Sequence, residues 1–256
     1  MLDPKRMNTI NLDRYLPELT AMYAFYRYSE AVFADAGLRD QIAEQEFSTL
    51  LATIMPFLND PKNPQEVEPL FRDKIHEQVV SYITSGLAVL RGQILEASHS
   101  IFEKFLCHVV RVYLHTFPAI LMDIDKQIPY RTIAELKTNG AIFDHVVEKE
   151  VSHFSRRSLQ EKKDYLAKRL KHTHQDEVWT YEGEELWKDI DRKRQSIVHE
   201  EAIPEISNEY LVRAINALQK IMMGISTFAQ VDQGIRFTWG QMSEHVKSKE
   251  APTLKP

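Results

Sequence analysis

Cysteine is almost absent from this 256-residue chain, in which Cys107 stands alone. A single cysteine excludes an internal disulfide, a cysteine-ligated zinc site and a CxxC redox pair. Cys107 lies in the apolar run KFLCHVV and is expected to be a small core residue. This cysteine usage fits a reducing compartment, and we expect a cytoplasmic protein.

Long apolar runs are missing as well. No stretch reaches the roughly 18 uninterrupted apolar residues of a membrane-spanning helix, and the first residues lack the apolar core of a signal peptide. Excess positive charge is also lacking, because the net charge is −5. That charge argues against indiscriminate nucleic-acid binding by the whole surface. We therefore expect no membrane association and, at most, a local basic patch.

Glycine and proline are scarce, with 8 and 11 residues, whereas strands joined by tight turns usually need more of both. What the chain has instead is helical periodicity. One stripe of apolar residues at three- and four-residue steps consists of Leu87, Leu90, Ile94, Ala97, Ile101, Phe105, Val109 and Val112. Another follows Ser207, an expected N-cap, and consists of Leu211, Ile215, Leu218, Met222 and Ile225. With no alternating strand pattern and no internal repeat, the sequence predicts an all-α bundle.

The domain organisation is predicted from the segment NDPKNPQEVEP (59–69), whose three prolines and two asparagines indicate a linker. We expect an N-terminal helical extension over 1–62, a helical bundle over 66–230 and a partly disordered C-terminal tail over 231–256. Residues 1–12 are expected to be a polar lead-in, and 172–185 a loop. Helices are expected at about 17–33, 40–57, 158–172 and 185–200. From about residue 70 the chain is expected to form long helices, one of which ends near Pro118.

Positive charge is concentrated at residues 156–171, which hold seven cations and only two acids, Glu161 and Asp164. Lysine and arginine supply sequence-independent contacts to phosphates, so this segment predicts RNA binding. The expected contacts are Arg156, Arg157, Lys162, Lys163, Lys168 and Arg169. The competing interpretation is a solvated helix face whose cations pair with acids such as Glu182, Glu184 and Glu185.

The stretch DRKRQSIVHE (191–200) combines arginines with a histidine. A histidine can accept or donate a proton near neutral pH, and an arginine grips phosphate oxygens. Together Arg194 and His199 suit RNA cleavage by the 2′-hydroxyl of the substrate, which needs no metal or cofactor. On a regular helix Arg194 and His199 are about 140° apart, whereas Arg192 and His199 are about 20° apart. Periodicity alone therefore favours Arg192 as the partner of His199.

These residues resemble the R-x(4–6)-H motif of the HEPN family, all-α domains that include metal-independent endoribonucleases. Arg194, Gln195 and His199 match the motif in order, with an apolar pair before the histidine, although the family more often has Asn, Asp or His in place of Gln195. SIFEKFLCHVVRVYLHTFP and SNEYLVRAINALQKIM are similar to the long early helix and the helix after the motif, so the resemblance covers roughly residues 75–228.

The resemblance implies a homodimeric endoribonuclease that acts on RNA from a cleft lined by both copies of the motif. It also implies a role in antiviral defence or a toxin–antitoxin pair, with an antitoxin as a possible protein partner. Arg194 and His199 would be catalytic, with Arg192 and Gln195 assisting substrate positioning. An acidic residue on the early helix orients the motif in some members, which makes Glu103 a further candidate.

Two alternatives stay open at this point. The chain could be a non-catalytic helical module that binds RNA, a nucleotide or a protein. For His199 itself, the competing interpretation is a histidine at the edge of the core, bonded to a backbone carbonyl. Alternatively, the two Glu-x-x-His pairs, Glu96 with His99 and Glu150 with His153, could ligate a di-iron or di-manganese centre in a helical bundle.

Overall fold

The protein is predominantly helical in a computed structural model that describes residues 9–54, 64–123, 127–168, 178–199 and 204–238. Eight α-helices lie in these ranges, together with a 3-10 helix at Pro118–Asp123 and two short strands, β1 and β2. The all-α prediction is confirmed. The helices are α1 (Leu12–Ala34), α2 (Ala36–Ile54), α3 (Pro64–Thr116), α4 (Tyr130–Leu136), α5 (Asn139–Ser155), α6 (Leu159–Lys168), α7 (Tyr181–His199) and α8 (Asn208–Gln233).

The 53-residue helix α3 is the longest of the described helices, with a length of about 80 Å, and the main bundle packs on its C-terminal half. Besides α2, helix α3 contacts α1, α5, α7 and α8. Its predicted apolar stripe is buried at Ile94, Ile101, Phe105, Val109 and Val112, as the three- and four-residue spacing requires. None of the described helices is long and apolar enough to cross a membrane.

The first two helices pack in different places. Helix α1 contributes Leu12, Tyr15, Leu19 and Tyr26 to the main core, so it lies within the bundle rather than beside it. Helix α2 instead packs on the N-terminal half of α3 in a small separate cluster: Ala43, Phe47, Ile75 and Val79. The boundary expected near residue 62 falls in 55–63, outside the described residues. The linker predicted up to residue 69 is wrong from Pro64 onward, because α3 begins there.

Two three-residue strands tie the ends of the described chain together. Strand β1 (Thr9–Asn11) pairs in parallel with β2 (Arg236–Thr238), and Ile10 is completely buried. The backbone N–H of Asn11 also donates to His108 Nε2 at 3.1 Å. The prediction of a polar lead-in through residue 12 and of a tail from residue 231 is therefore wrong for these residues. Three residues are too few to show an alternating pattern.

The later helices follow the sequence closely, with local corrections at their ends. Ser207 caps α8 by accepting a hydrogen bond from the Tyr210 N–H at 3.1 Å, and the five predicted stripe residues of α8 are buried. Helix α7 begins at Tyr181, inside the segment predicted to be a loop, because Trp187 and Leu186 bury an apolar face there. The described part of α6 ends at Lys168, and residues 169–177 and 239–256 lie outside the described residues.

Candidate functional site

A polar cavity of about 610 Å³ lies where α3, α7 and the turn between α5 and α6 meet. Each of these elements contributes side chains with charges or hydrogen-bonding groups. The lining residues are His99, Ser100, Glu103 and Lys104 from α3; Ser155, Arg156, Arg157, Ser158, Leu159 and Lys162 from the turn and α6; and Trp187, Asp191, Arg194 and Gln195 from α7.

The rotation of α7 is set by Trp187, which is fully buried. Its ring stacks on Trp179 at 4.7 Å between centroids and meets the edge of Phe102 at 5.1 Å. Positions four, seven and eight residues after Trp187 lie on the same side of a helix. Those positions are Asp191, Arg194 and Gln195, so anchoring the tryptophan turns the polar residues of the motif toward the cavity.

The turn before α6 is held by a capping box. The Ser158 N–H and hydroxyl both donate to the Glu161 carboxylate, at 2.8 and 2.7 Å. Arg157 lies over the Tyr165 ring, 4.5 Å from its centroid, and pairs with Glu150 at 3.4 Å. Arg156 is exposed at the cavity and has no carboxylate partner among the described residues. The turn therefore presents one arginine fixed by packing and one open to a ligand.

A buried ion pair forms part of the cavity lining. Lys162, whose side chain is 7% exposed, donates to the carboxylate of Glu103, which is 21% exposed. Burial raises the pKa of the Glu103 carboxyl, and the Lys162 ammonium opposes that rise. The two side chains belong to α6 and α3, so the ion pair joins the basic helix to the axis of the bundle.

His99 lies beside this pair and is buried. Its Nε2 is 3.5 Å from Asp191 Oδ1 and 3.9 Å from Glu103 Oε1. Burial lowers the pKa of His99 to about 4, even though Asp191 acts in the opposite direction. The imidazole is therefore neutral at pH 7.

The cavity carries an excess of positive charge, with five basic side chains against the two carboxylates of Glu103 and Asp191. Two buried nitrogens in it, Arg194 Nε and His99 Nδ1, have no hydrogen-bond partner among the described residues. An unpaired buried guanidinium N–H is costly unless an acceptor reaches it. Such a cavity can bind an anion with several hydrogen-bond acceptors, and a phosphate is one.

The structure brings three of the predicted catalytic and auxiliary residues together, since Arg194, Gln195 and Glu103 all line the cavity. Arg192 lies elsewhere: its side chain is 78% exposed and its nearest acid is Asp189, at 3.5 Å. His199 is the last residue of α7, one turn beyond Gln195 along the helix. Its imidazole lies outside the part of the chain that the structure describes.

Most of the described cations of the basic segment pair with acids. Lys163 pairs with Glu184, one of the acids that the competing interpretation named, and Lys168 lies 3.8 Å from Asp164. Arg169 lies outside the described residues. Of the six predicted RNA contacts, the described cavity includes Arg156, Arg157 and Lys162.

Sequence reasoning missed the part that His99, Asp191 and Lys104 play in this cavity. His99 drew attention only as one half of a Glu-x-x-His pair. Among the described residues no group of three or more potential metal ligands forms, and Glu150 pairs with Arg157 instead. The di-metal alternative therefore has no site in the described ranges. The usable signal for Asp191 was its position three residues before Arg194, on the same helix face.

Comparisons of the chain with protein-family models, with curated proteins and with solved structures find no match.

Proposed function

We propose that the protein is a metal-independent endoribonuclease of the HEPN type that acts on RNA at the cavity between α3 and α7. The observation that carries this proposal is the convergence of Arg194 and Gln195, from the R-x(4–6)-H motif, with Glu103 and Arg156 around one cationic cavity. A phosphodiester supplies the acceptors that the Arg194 guanidinium lacks among the described residues.

In the proposed reaction the 2′-oxygen of a ribose attacks the adjacent phosphorus, and the bond from phosphorus to the 5′-oxygen breaks. The 2′-hydroxyl loses a proton and the leaving 5′-oxygen gains one; His199 either takes the first of these protons or gives the second, and water exchanges the other. Arg194 offsets the charge that grows on the phosphoryl oxygens. The products are a 2′,3′-cyclic phosphate and a 5′-hydroxyl. Arg156 and Lys104 hold phosphates of the RNA at the rim of the cavity.

The proposal includes the assembly that the family resemblance implies. Two copies pair so that both motifs line one cleft, in a cytoplasmic protein of antiviral defence or a toxin–antitoxin pair, where a protein antitoxin is a partner. Pairing also supplies a second set of motif side chains, which removes the angular constraint that one regular helix places on Arg194 and His199.

The test is incubation of the purified chain with mixed-sequence RNA in the presence of EDTA. We expect cleavage that survives the chelator, yields 2′,3′-cyclic phosphate ends and falls by at least about a hundredfold in both Arg194→Ala and His199→Ala. Arg131→Ala is the matched control, because Arg131 is 90% exposed on α4, outside the cavity lining. Cleavage that persists in both site variants would exclude this mechanism.

A non-catalytic module that binds RNA or a nucleotide is the second candidate. It is favoured by the described lining of the cavity, in which His99 is the one histidine: its imidazole is buried, and burial lowers its pKa, so it is poorly suited to donating a proton at neutral pH. RNA binding that depends on Arg194, without any cleavage by the wild-type protein, is the result expected of this candidate.

A further inference from the structure

Contact with RNA does not explain why Lys162 is buried in an ion pair with Glu103. Lys162 was expected to touch phosphates, yet its side chain is almost fully buried and donates to Glu103. A lysine held in this way has little charge left to offer a ligand. Its burial indicates a role inside the protein.

Glu103 has a second cation close to it. Arg194 lines the same cavity, and its positive charge lowers the pKa of Glu103, in the same direction as that of Lys162. The Arg194 Nε has no acceptor among the described residues, while the carboxylate of Glu103 is already taken by Lys162. Of the two cations near the Glu103 carboxylate, Lys162 is therefore paired with it and Arg194 is not.

We infer that Lys162 is a positioning residue that occupies Glu103 and thereby leaves Arg194 available to a phosphate of the RNA. The inference rests on the proposed function for its ligand, but not for the contacts within the protein. Without the Lys162 ammonium, a mostly buried carboxylate would be left unpaired, which is strongly unfavourable. Glu103 then recruits the neighbouring arginine, and the cavity loses the guanidinium that grips the phosphate.

The test compares Lys162→Gln with the double variant Lys162→Gln/Glu103→Gln in the full chain. The probe is a fluorescently labelled, mixed-sequence single-stranded RNA. We expect Lys162→Gln to weaken RNA binding by about tenfold or more, because Arg194 is sequestered. The double variant lacks the Glu103 carboxylate that would sequester Arg194, and Asp191 stays as it is in the wild type, so the RNA affinity returns to within about twofold of wild type.

The double variant is decisive because it separates positioning from direct contact. If Lys162 itself touched RNA, the double variant would bind as weakly as the single one, and the inference would be wrong. The double variant also leaves no unpaired buried charge, so it decides the question even if Lys162→Gln alone fails to fold.

Glu184→Gln is the matched control. It breaks the Lys163–Glu184 pair, which also joins α6 to a neighbouring helix and has side chains 15% and 20% exposed. Neither residue lines the cavity. We expect this variant to bind RNA no more weakly than wild type, whereas weakening equal to that of Lys162→Gln would show a general effect of loosening α6.

A second readout does not depend on RNA. In ¹H–¹⁵N spectra the Nε–H signal of Arg194, assigned by its loss in Arg194→Lys, should shift in Lys162→Gln and return in the double variant. An unchanged signal overturns the inference even if RNA binds. A wild-type protein that binds no RNA, but in which the signal shifts and returns, contradicts the proposed function and supports the positioning role.

Discussion

Arg156 differs from the arginine beside it in the sequence. It is exposed at the cavity and lies next to Arg157, which is fixed between Tyr165 and Glu150. The two neighbouring arginines therefore have different roles: Arg157 stabilises the turn, and Arg156 is free to meet a ligand. Both arginines carry the same charge, so the sequence does not distinguish them. They differ only in the packing of Arg157 against α5 and α6.

For Arg156→Ala we expect RNA affinity to fall by about three- to tenfold and the slope of log K against log salt to shrink by about one. One phosphate contact with its released counterion is lost, while the fold is unaffected. Binding titrations at several salt concentrations measure both quantities. An unchanged salt slope would mean that Arg156 does not contact a phosphate.

At the scale of elements, helix α7 joins the core to the cavity. Leu186, Trp187 and Ile190 pack into the bundle, and Asp191 and Arg194 lie on the side of Trp187, about one and two turns further along the helix, where they line the cavity. Because these residues belong to one rigid helix, the packing of Trp187 against Phe102 and Trp179 determines where Arg194 lies.

Trp187→Ala is expected to lower the free energy of unfolding by about 3–5 kcal/mol, through lost apolar burial and the cavity left behind. Denaturant unfolding measures this change. Tyr130→Ala is the control, since Tyr130 is an exposed aromatic residue on α4 and its loss should change stability by less than about 0.5 kcal/mol. A similarly small effect for Trp187→Ala would show that this ring does not anchor α7.

How far the sequence predicts an element depends on how local its causes are. The α8 stripe and its Ser207 cap arise from residues within a few turns of one another, and both were predicted correctly. The Lys162–Glu103 pair was not predicted, because it joins residues 59 positions apart. Strand β1 was missed for the same reason, since Thr9 pairs with Arg236 across nearly the whole chain.

At the scale of the whole molecule, two neutral histidines couple stability to pH. His99 is buried near the cavity, and His108 accepts the Asn11 N–H where β1 meets the bundle. Burial is the main cause that lowers the pKa of each to about 4; Arg194 adds to it at His99 and Arg111 at His108. The ordinary value of 6.5 returns on unfolding, so the unfolded chain binds protons more readily than the folded one.

The contribution of these two histidines to the free energy of unfolding is therefore expected to be constant above about pH 7. It decreases as the pH falls from about 6.5 toward 4, by up to about 3 kcal/mol for each histidine. Denaturant unfolding at successive pH values measures it. His108→Gln keeps an oxygen acceptor for the Asn11 N–H but does not titrate, so its pH dependence should be shallower than that of wild type. Equal slopes for the two proteins would show that protonation of His108 does not oppose folding, and that the contact between β1 and α3 does not depend on a neutral imidazole.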